Sequence, residues 1–116
     1  MNSIDELIKR IITFRDDRDW KQFHNPKDLA LSLSLEASEV VEHFQWKSKK
    51  EAEEYIKTYK NLIGEELADV LYWVLLMSHD MGINILDTLD KKIDTNVEKY
   101  PIEKFKGIHT KYNKLK

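Results

Sequence analysis

The sequence predicts an all-α protein built from four main helices. Glycine and proline are scarce, with three and two in 116 residues, and most of them stand where a helix should begin or end. Apolar residues recur at helical spacing, and no segment alternates apolar and polar residues as a strand does. The hydrophobic fraction of 41% and the charged fraction of 34% are typical of a globular helical domain.

The first two helices are marked by their capping residues. Ser3, with Glu6 three residues later, forms a capping box that opens the first helix, whose apolar stripe fades by about Asp19. A connector follows as far as His24. Asn25 is then placed to cap a second helix, with Pro26 at its first position. We expect this second helix to end near residue 44.

The third and fourth helices are marked in the same way. Ser48 with Glu51 forms another capping box, and the helix that it opens should reach residue 79 or 80, with a break near Asn61 to Gly64. Gly82 is placed to terminate it. Asn84 with Asp87 restarts a helix that should end at residue 100, because a proline follows. We therefore expect one helical domain over 1–100, and a C-terminal tail over 101–116 that docks on a neighbour or stays mobile.

Charge and composition exclude several classes of protein. The net charge of −2 gives no strong field toward a nucleic acid polymer or an anionic membrane, so neither is an expected partner. The absence of cysteine excludes disulfides and thiolate metal sites. The longest apolar run, 70–77, is too short to span a membrane. Residues 1–12 lack the apolar core of a signal peptide, so the expected location is the cytoplasm.

Two pairs of carboxylates carry the strongest functional signal. Glu36 and Glu39 lie on the second helix, and Glu66 and Asp69 lie on the third. Each pair has i,i+3 spacing, so both members project from one face of their helix. Apolar residues cover most of the remaining circumference of both helices, which is typical of core helices rather than of solvated acidic faces.

Electrostatics indicates what such carboxylates would face. Two like charges about 4 Å apart repel by roughly 4 kcal/mol at an effective dielectric constant near 20. Four converging carboxylates must therefore be protonated, paired with a base or neutralised by a metal ion. No lysine or arginine lies one helical turn from either pair on the same strip. We therefore expect a hard divalent cation, with Mg²⁺ as the first candidate.

Several segments together resemble one family. The motif Glu36-x-x-Glu39 with Glu66-x-x-Asp69 resembles the metal motif of the MazG-like all-α nucleoside triphosphate pyrophosphohydrolases, closest to their dCTP pyrophosphatase branch. The segments at 18–26, 43–47, 92–96 and 99–101 resemble further motifs of that branch. The resemblance implies hydrolysis of a nucleoside triphosphate between the α and β phosphates, giving a nucleoside monophosphate and pyrophosphate. The expected substrate is dCTP or a modified pyrimidine deoxynucleotide.

The same resemblance implies a cofactor, site residues and an assembly. The metal ligands would be Glu36, Glu39, Glu66 and Asp69, holding Mg²⁺ with Mn²⁺ as an alternative ion. The nucleotide-binding residues would be Trp20, His24, Trp46, Lys47, Trp73, Lys92, Asn96, Lys99 and Tyr100. The four-helix bundle would be the catalytic domain and would be completed by oligomerisation, as a tetramer made of two dimers or at least as a dimer.

Some roles and alternatives stay open on the sequence. Glu39, Glu36 or the neighbouring Glu65 could serve as general base. His43 shares the acidic strip and could support a metal ligand. A carboxylate-bridged di-iron bundle is the weaker metal alternative, because such sites use Glu-x-x-His on two helices and this chain has none. A helical interaction module that only self-associates is the non-enzymatic alternative.

Overall fold

The computed structural model describes residues 3–114. The outermost residues of the predicted domain and tail, 1, 2, 115 and 116, lie outside the described residues. Every regular element between residues 3 and 114 is a helix or a 3₁₀ turn, so the predicted all-α class is confirmed. The chain forms two compact units, one ending at Gly82 and the other beginning at Ile83. The predicted boundary at residue 100 stays a prediction.

Helix α1 (Ile4–Asp17) opens the first unit. The Ser3 hydroxyl accepts a hydrogen bond from the Glu6 backbone N–H, as its capping position predicts. The helix ends two residues before the predicted limit, because Asp19 adopts a left-handed conformation with φ of 52°. A 3₁₀ turn at Lys21–Phe23 then leads into the next helix.

Helices α2 (Pro26–Phe44) and α3 (Lys49–Asp80) form the main packing pair of the first unit, and their bounds agree with the sequence prediction. Asn25 caps α2 and Ser48 caps α3, the latter as a complete capping box. A connection of four residues joins them, and within it Trp46 has a positive φ of 68°. The two helices are antiparallel, since His43 meets Glu66 whereas His24 meets Trp73.

The break in α3 lies before the predicted position. Tyr59 departs from helical geometry, with φ of −110° and ψ of 18°, so the prediction of a break at 61–64 was wrong in its position. Gly64 remains helical because a single glycine lowers helix stability without ending the helix. Beyond the bend, α3 supplies most of the core of this unit, and the buried apolar residues are Leu29, Ile63, Leu75 and Leu76.

The second unit contains α4 (Ile85–Lys99), the short helix α5 (Ile102–Phe105) and a 3₁₀ turn at Tyr112–Lys114. Asn84 caps α4 by accepting from the Asp87 N–H, and α4 ends before Pro101, as predicted. The Tyr100 ring makes edge-to-face contacts with Phe105 at 4.8 Å and with Tyr112 at 5.8 Å. The described part of the predicted tail is therefore packed against its own unit.

Neither unit offers a helix that could serve as a transmembrane segment. Over residues 3–114, no helix combines the length and the apolar character that crossing a bilayer requires.

Candidate metal and nucleotide site

Glu36 lies at the centre of the predicted acidic site. Burial is the main cause that raises its pKa, and the nearby carboxylates of Glu39 and Asp69 raise it further. The nearby Trp73 side chain lowers the pKa and so partly opposes this shift. The Oε2 atom of Glu36 is enclosed and has no hydrogen-bond partner among the described residues. An enclosed carboxylate oxygen of this kind is unfavourable unless a cation or a donor reaches it.

The four predicted ligands do not form a ready-made cage. Among residues 3–114, no three histidine, aspartate or glutamate side chains stand close enough together to hold one metal ion as they are placed. Glu39 and Asp69 are exposed beside Glu36, whereas Glu66 contacts a histidine instead. Glu65, the alternative general base, is exposed on α3 next to Glu66.

His43 is the partner of Glu66. Its Nε2 atom lies 2.5 Å from Glu66 Oε2, and its Nδ1 atom lies 2.7 Å from the Tyr55 hydroxyl. The imidazole is buried, with 8% of its side chain exposed, and 21% of the Glu66 side chain remains exposed. The position expected for His43, next to a predicted metal ligand, agrees with this geometry.

Lys47 and Trp46 occupy the connection after α2. The Lys47 ammonium donates to the His43 carbonyl oxygen at 2.6 Å and lies 4.2 Å from the centre of the Tyr55 ring. It is thus engaged inside the α2–α3 pair, and its predicted phosphate contact stays a prediction. The Trp46 indole is 92% exposed, which leaves its face free for a planar ligand.

His24 and Trp73 meet at the other end of the α2–α3 pair. Their rings are 5.8 Å apart in an edge-to-face arrangement. Burial lowers the pKa of His24, and the Arg15 guanidinium 3.4 Å away lowers it further, so the neutral imidazole is favoured. A cavity of about 380 Å³ opens beside His24 and is also lined by Lys21, Asn25 and His79.

Trp20 stands apart from these two aromatic residues. Its indole packs edge-on against Phe14, with ring centres 5.5 Å apart, and the Arg18 guanidinium lies 6.0 Å from it. Less than half of its surface is exposed. Of the predicted base-binding residues, the structure therefore brings together His24 and Trp73, and places Trp20 in its own contact with α1.

The remaining predicted nucleotide ligands belong to the second unit. Lys92 and Asn96 are exposed on α4, one helical turn apart. The Lys99 ammonium lies 4.9 Å from the centre of the Tyr112 ring, and Tyr100 takes part in the aromatic contacts described above. Lys92, Asn96 and Lys99 share one helix face, as their spacing predicts.

Sequence reasoning missed three residues next to the site. Arg15 is 1% exposed and donates two hydrogen bonds to Asp80, at 2.7 and 2.9 Å. Tyr55 is the second partner of His43. No local pattern marks these contacts, since Arg15 and Asp80 are far apart in sequence and Tyr55 reads as an ordinary aromatic residue of a helix.

Comparison with known proteins identifies the class of this helical fold. A profile of the MazG-like family matches residues 31–115, and the chain therefore belongs to the MazG-like family. The predicted family is thus confirmed.

Individual relatives are named as pyrophosphatases. The chain is 34% identical over 113 residues to dCTP pyrophosphatase 1 of Mus musculus, covering 95% of this chain and 66% of that protein. It is 32% identical to dCTP pyrophosphatase 1 of Homo sapiens, covering 66% of it. The crystal structure of a pyrophosphatase from Archaeoglobus fulgidus matches with a TM-score of 0.82 at 37% identity, covering 87% of this chain and 94% of that one. The chain thus spans about two thirds of the mammalian relatives.

Proposed function

We propose that this protein is a Mg²⁺-dependent nucleoside triphosphate pyrophosphohydrolase. It would cleave between the α and β phosphates and release a nucleoside monophosphate and pyrophosphate, with dCTP or a modified pyrimidine deoxynucleotide as substrate. The names of the relatives support this class of hydrolase. The observation that carries the proposal is the enclosed, unpartnered Oε2 atom of Glu36, beside two further carboxylates.

The donor set suits a hard divalent cation. Carboxylate oxygens are the ligands that Mg²⁺ prefers, and the mutual repulsion of Glu36, Glu39 and Asp69 falls when a cation neutralises them. Glu66 would be the fourth ligand. When bound, Mg²⁺ (or Mn²⁺) supplies charge neutralisation for the triphosphate and acidifies a water molecule.

The side chains have separate tasks in this proposal. Trp73 would stack on the base, with His24 and Trp20 lining the pocket, because stacking on an aromatic ring contributes about 1–3 kcal/mol per base. Trp46 lies at the opposite end of the α2–α3 pair from His24 and Trp73, so it would join this pocket from another copy of the chain in the oligomer. The positive or polar residues would hold the phosphates: Lys47, Lys92, Asn96, Lys99 and Tyr100. A carboxylate accepts the proton of the attacking water, and Glu36, Glu39 and Glu65 are the candidates.

A panel of nucleoside triphosphates tests the proposal. The protein is incubated with each of the four deoxynucleotides and with CTP in Mg²⁺, and the products are resolved by ³¹P NMR. We expect equimolar monophosphate and pyrophosphate, the highest kcat/KM with dCTP or its modified forms, no turnover in EDTA, and recovery on adding Mn²⁺. Orthophosphate as the first product would refute the cleavage position, and no turnover of any triphosphate would refute the enzyme assignment.

We also propose that the protein is a homo-oligomer, a dimer at minimum and a tetramer of paired dimers in full. Exposed apolar side chains support this: Leu31 and Leu35 on α2, and Leu67 and Leu71 on α3.

The same exposed apolar side chains favour the alternative function, a helical module that only self-associates. That alternative predicts self-association without nucleotide turnover. A cytoplasmic location stays a prediction.

A further inference from the structure

We propose that Tyr55 is a positioning residue that acts through His43 to orient the carboxylate of Glu66. The inference rests on the proposed function only in treating Glu66 as a metal ligand. The contacts of His43 with Tyr55 and with Glu66 are properties of the metal-free protein, and they can be measured there.

The atoms around His43 select one tautomer. A neutral imidazole carries one N–H and one acceptor nitrogen, and an ionised carboxylate can only accept. Nε2 faces the Glu66 carboxylate at 2.5 Å, whereas Nδ1 faces a hydroxyl that can donate. The tautomer with the hydrogen on Nε2 suits both partners, because Tyr55 donates to Nδ1 and Nε2–H points toward Glu66. The opposite tautomer would set two acceptors against each other at the carboxylate.

No other group competes for these atoms among the described residues. His43 Nε2 and Glu66 Oε2 are both enclosed and have no other polar partner there, although at 2.5 Å they are not aligned as a regular hydrogen bond. Leaving two enclosed polar atoms unpaired costs about 1–3 kcal/mol each. Among the described residues, the only polar contact of either atom is therefore the one between them.

Tyr55 is itself held in place. Its ring stacks on Tyr59 with centres 4.4 Å apart, and the Lys47 ammonium lies over it at 4.2 Å. Tyr55 and Glu66 lie on opposite sides of the bend at Tyr59, so one imidazole links the two segments of α3. A straight helix would separate residues 55 and 66 by about 16 Å along its axis.

The consequence concerns Glu66. Hydrogen-bonded partners behind a ligating residue fix its orientation, and their loss costs about 10–100-fold in metal affinity or activity. With Oε2 held by His43, the carboxylate has one orientation, and its exposed part stays available for a cation. Tyr55 thus contributes to the site without touching the ligand.

The Tyr55→Phe variant tests the role of the Tyr55 hydroxyl, and Tyr59→Phe is its matched control. Each variant removes one hydroxyl from a pair of stacked rings, but only the Tyr55 hydroxyl is hydrogen-bonded to His43. The first readout is the ¹⁵N spectrum of the His43 imidazole in metal-free protein at slightly alkaline pH. We expect the Nε2–H form in wild type and Tyr59→Phe, and mixed tautomers in Tyr55→Phe. The second readout is Mn²⁺ affinity by electron paramagnetic resonance, which we expect to weaken about 10–100-fold in Tyr55→Phe alone.

A second pair of variants separates positioning from folding. His43→Gln keeps an amide donor near the place of Nε2, whereas His43→Leu keeps only bulk. We expect the His43→Gln variant to retain most of the wild-type affinity for Mn²⁺ and the His43→Leu variant to lose it. The Nδ1–H tautomer of the neutral His43 imidazole in wild type would overturn the proposal, as would equal Mn²⁺ affinities in the two tyrosine variants. A wild type that turns over no triphosphate would refute the proposed function, while these two readouts would still decide this inference.

Discussion

Glu36 is the single residue on which the proposed metal site depends most. The i,i+3 spacing predicted that it would share a face with Glu39, and the Asp69 carboxylate on the facing helix is near enough to raise the pKa of Glu36. That all four carboxylates converge on one ion stays a prediction. The sequence predicted that His43 would support a metal ligand but could not predict that this ligand would be Glu66, because the contact depends on the antiparallel packing of α2 against α3. The spacing within each acidic pair can be recognised in the sequence, but the contacts of its members with other residues depend on the tertiary structure.

Glu36→Gln should separate stability from function. The amide removes the repulsion from Glu39 and Asp69 in the metal-free protein, so we expect a higher Tm in EDTA. We also expect the turnover of dCTP to fall at least about 100-fold, as for loss of a group acting in the transition state. Calorimetry and pyrophosphate release measure the two effects.

Glu42→Gln is the control for that variant, since Glu42 is exposed on the same helix and has no assigned role. It should leave both Tm and turnover near the wild-type values. Unchanged turnover in Glu36→Gln would remove Glu36 from the site.

At the scale of whole elements, capping residues determined what could be predicted. The starts of α1, α2, α3 and α4 were predicted because each has a side chain that accepts from a backbone N–H three residues later. The bend at Tyr59 was not predicted at that position, because no proline or glycine lies there. The contact between the ends of α1 and α3, made by Arg15 and Asp80, was equally hidden, because a charged residue in a helix normally indicates a solvated face.

Two serine-to-alanine substitutions should affect the free energy of unfolding differently. Ser48→Ala removes the cap of α3 and should lower the free energy of unfolding by about 1 kcal/mol. The Ser38 hydroxyl donates only to the Ser34 carbonyl within α2, so Ser38→Ala should be neutral or slightly stabilising, because alanine has the higher helix propensity. Urea unfolding measures both, and equal effects would contradict the capping role.

Asp80→Asn should destabilise the first unit strongly. It leaves the buried Arg15 guanidinium without its anionic partner, which should cost about 2–4 kcal/mol of unfolding free energy. Asp17→Asn at an exposed position should change it by less than about 0.5 kcal/mol. Urea unfolding at neutral pH compares the two variants.

The same ion pair predicts a pH dependence. Hydrogen bonding from Arg15 lowers the pKa of Asp80 below its ordinary value of 3.8, and burial only partly offsets this. The stabilisation is therefore complete above that value and is lost as the pH falls through the folded-state pKa. Wild type should lose more stability than Asp80→Asn over this acidic range. Parallel pH profiles for the two proteins would contradict the assignment.

At the scale of the whole molecule, the predicted fold class and family are confirmed, whereas the predicted assembly stays a prediction. Helical periodicity and capping residues can be recognised in the sequence. Apolar residues that face a partner cannot be distinguished in the sequence from apolar residues of the core. Leu35 is 67% exposed although it lies on a helix that also packs against α3. Residues of this kind are the reason for expecting self-association.

Leu35→Lys should therefore change the oligomeric state. If Leu35 lies in an interface between copies, an ammonium there must be buried or the interface must open, so we expect a smaller species by light scattering. Thr58→Lys, on the exposed surface of α3, should keep the wild-type mass. A monomeric wild type would contradict the proposed assembly.

The tight connection between α2 and α3 gives the protein an intrinsic optical reporter. The indole of Trp46 is surrounded almost entirely by water, whereas Trp73 is partly covered. Trp46 should therefore fluoresce at a longer wavelength than Trp73, and its fluorescence should be quenched by a dissolved quencher such as iodide. Stacking of a planar ring on Trp46 would shield it, so nucleotide binding could be followed in unlabelled protein by the loss of quenching.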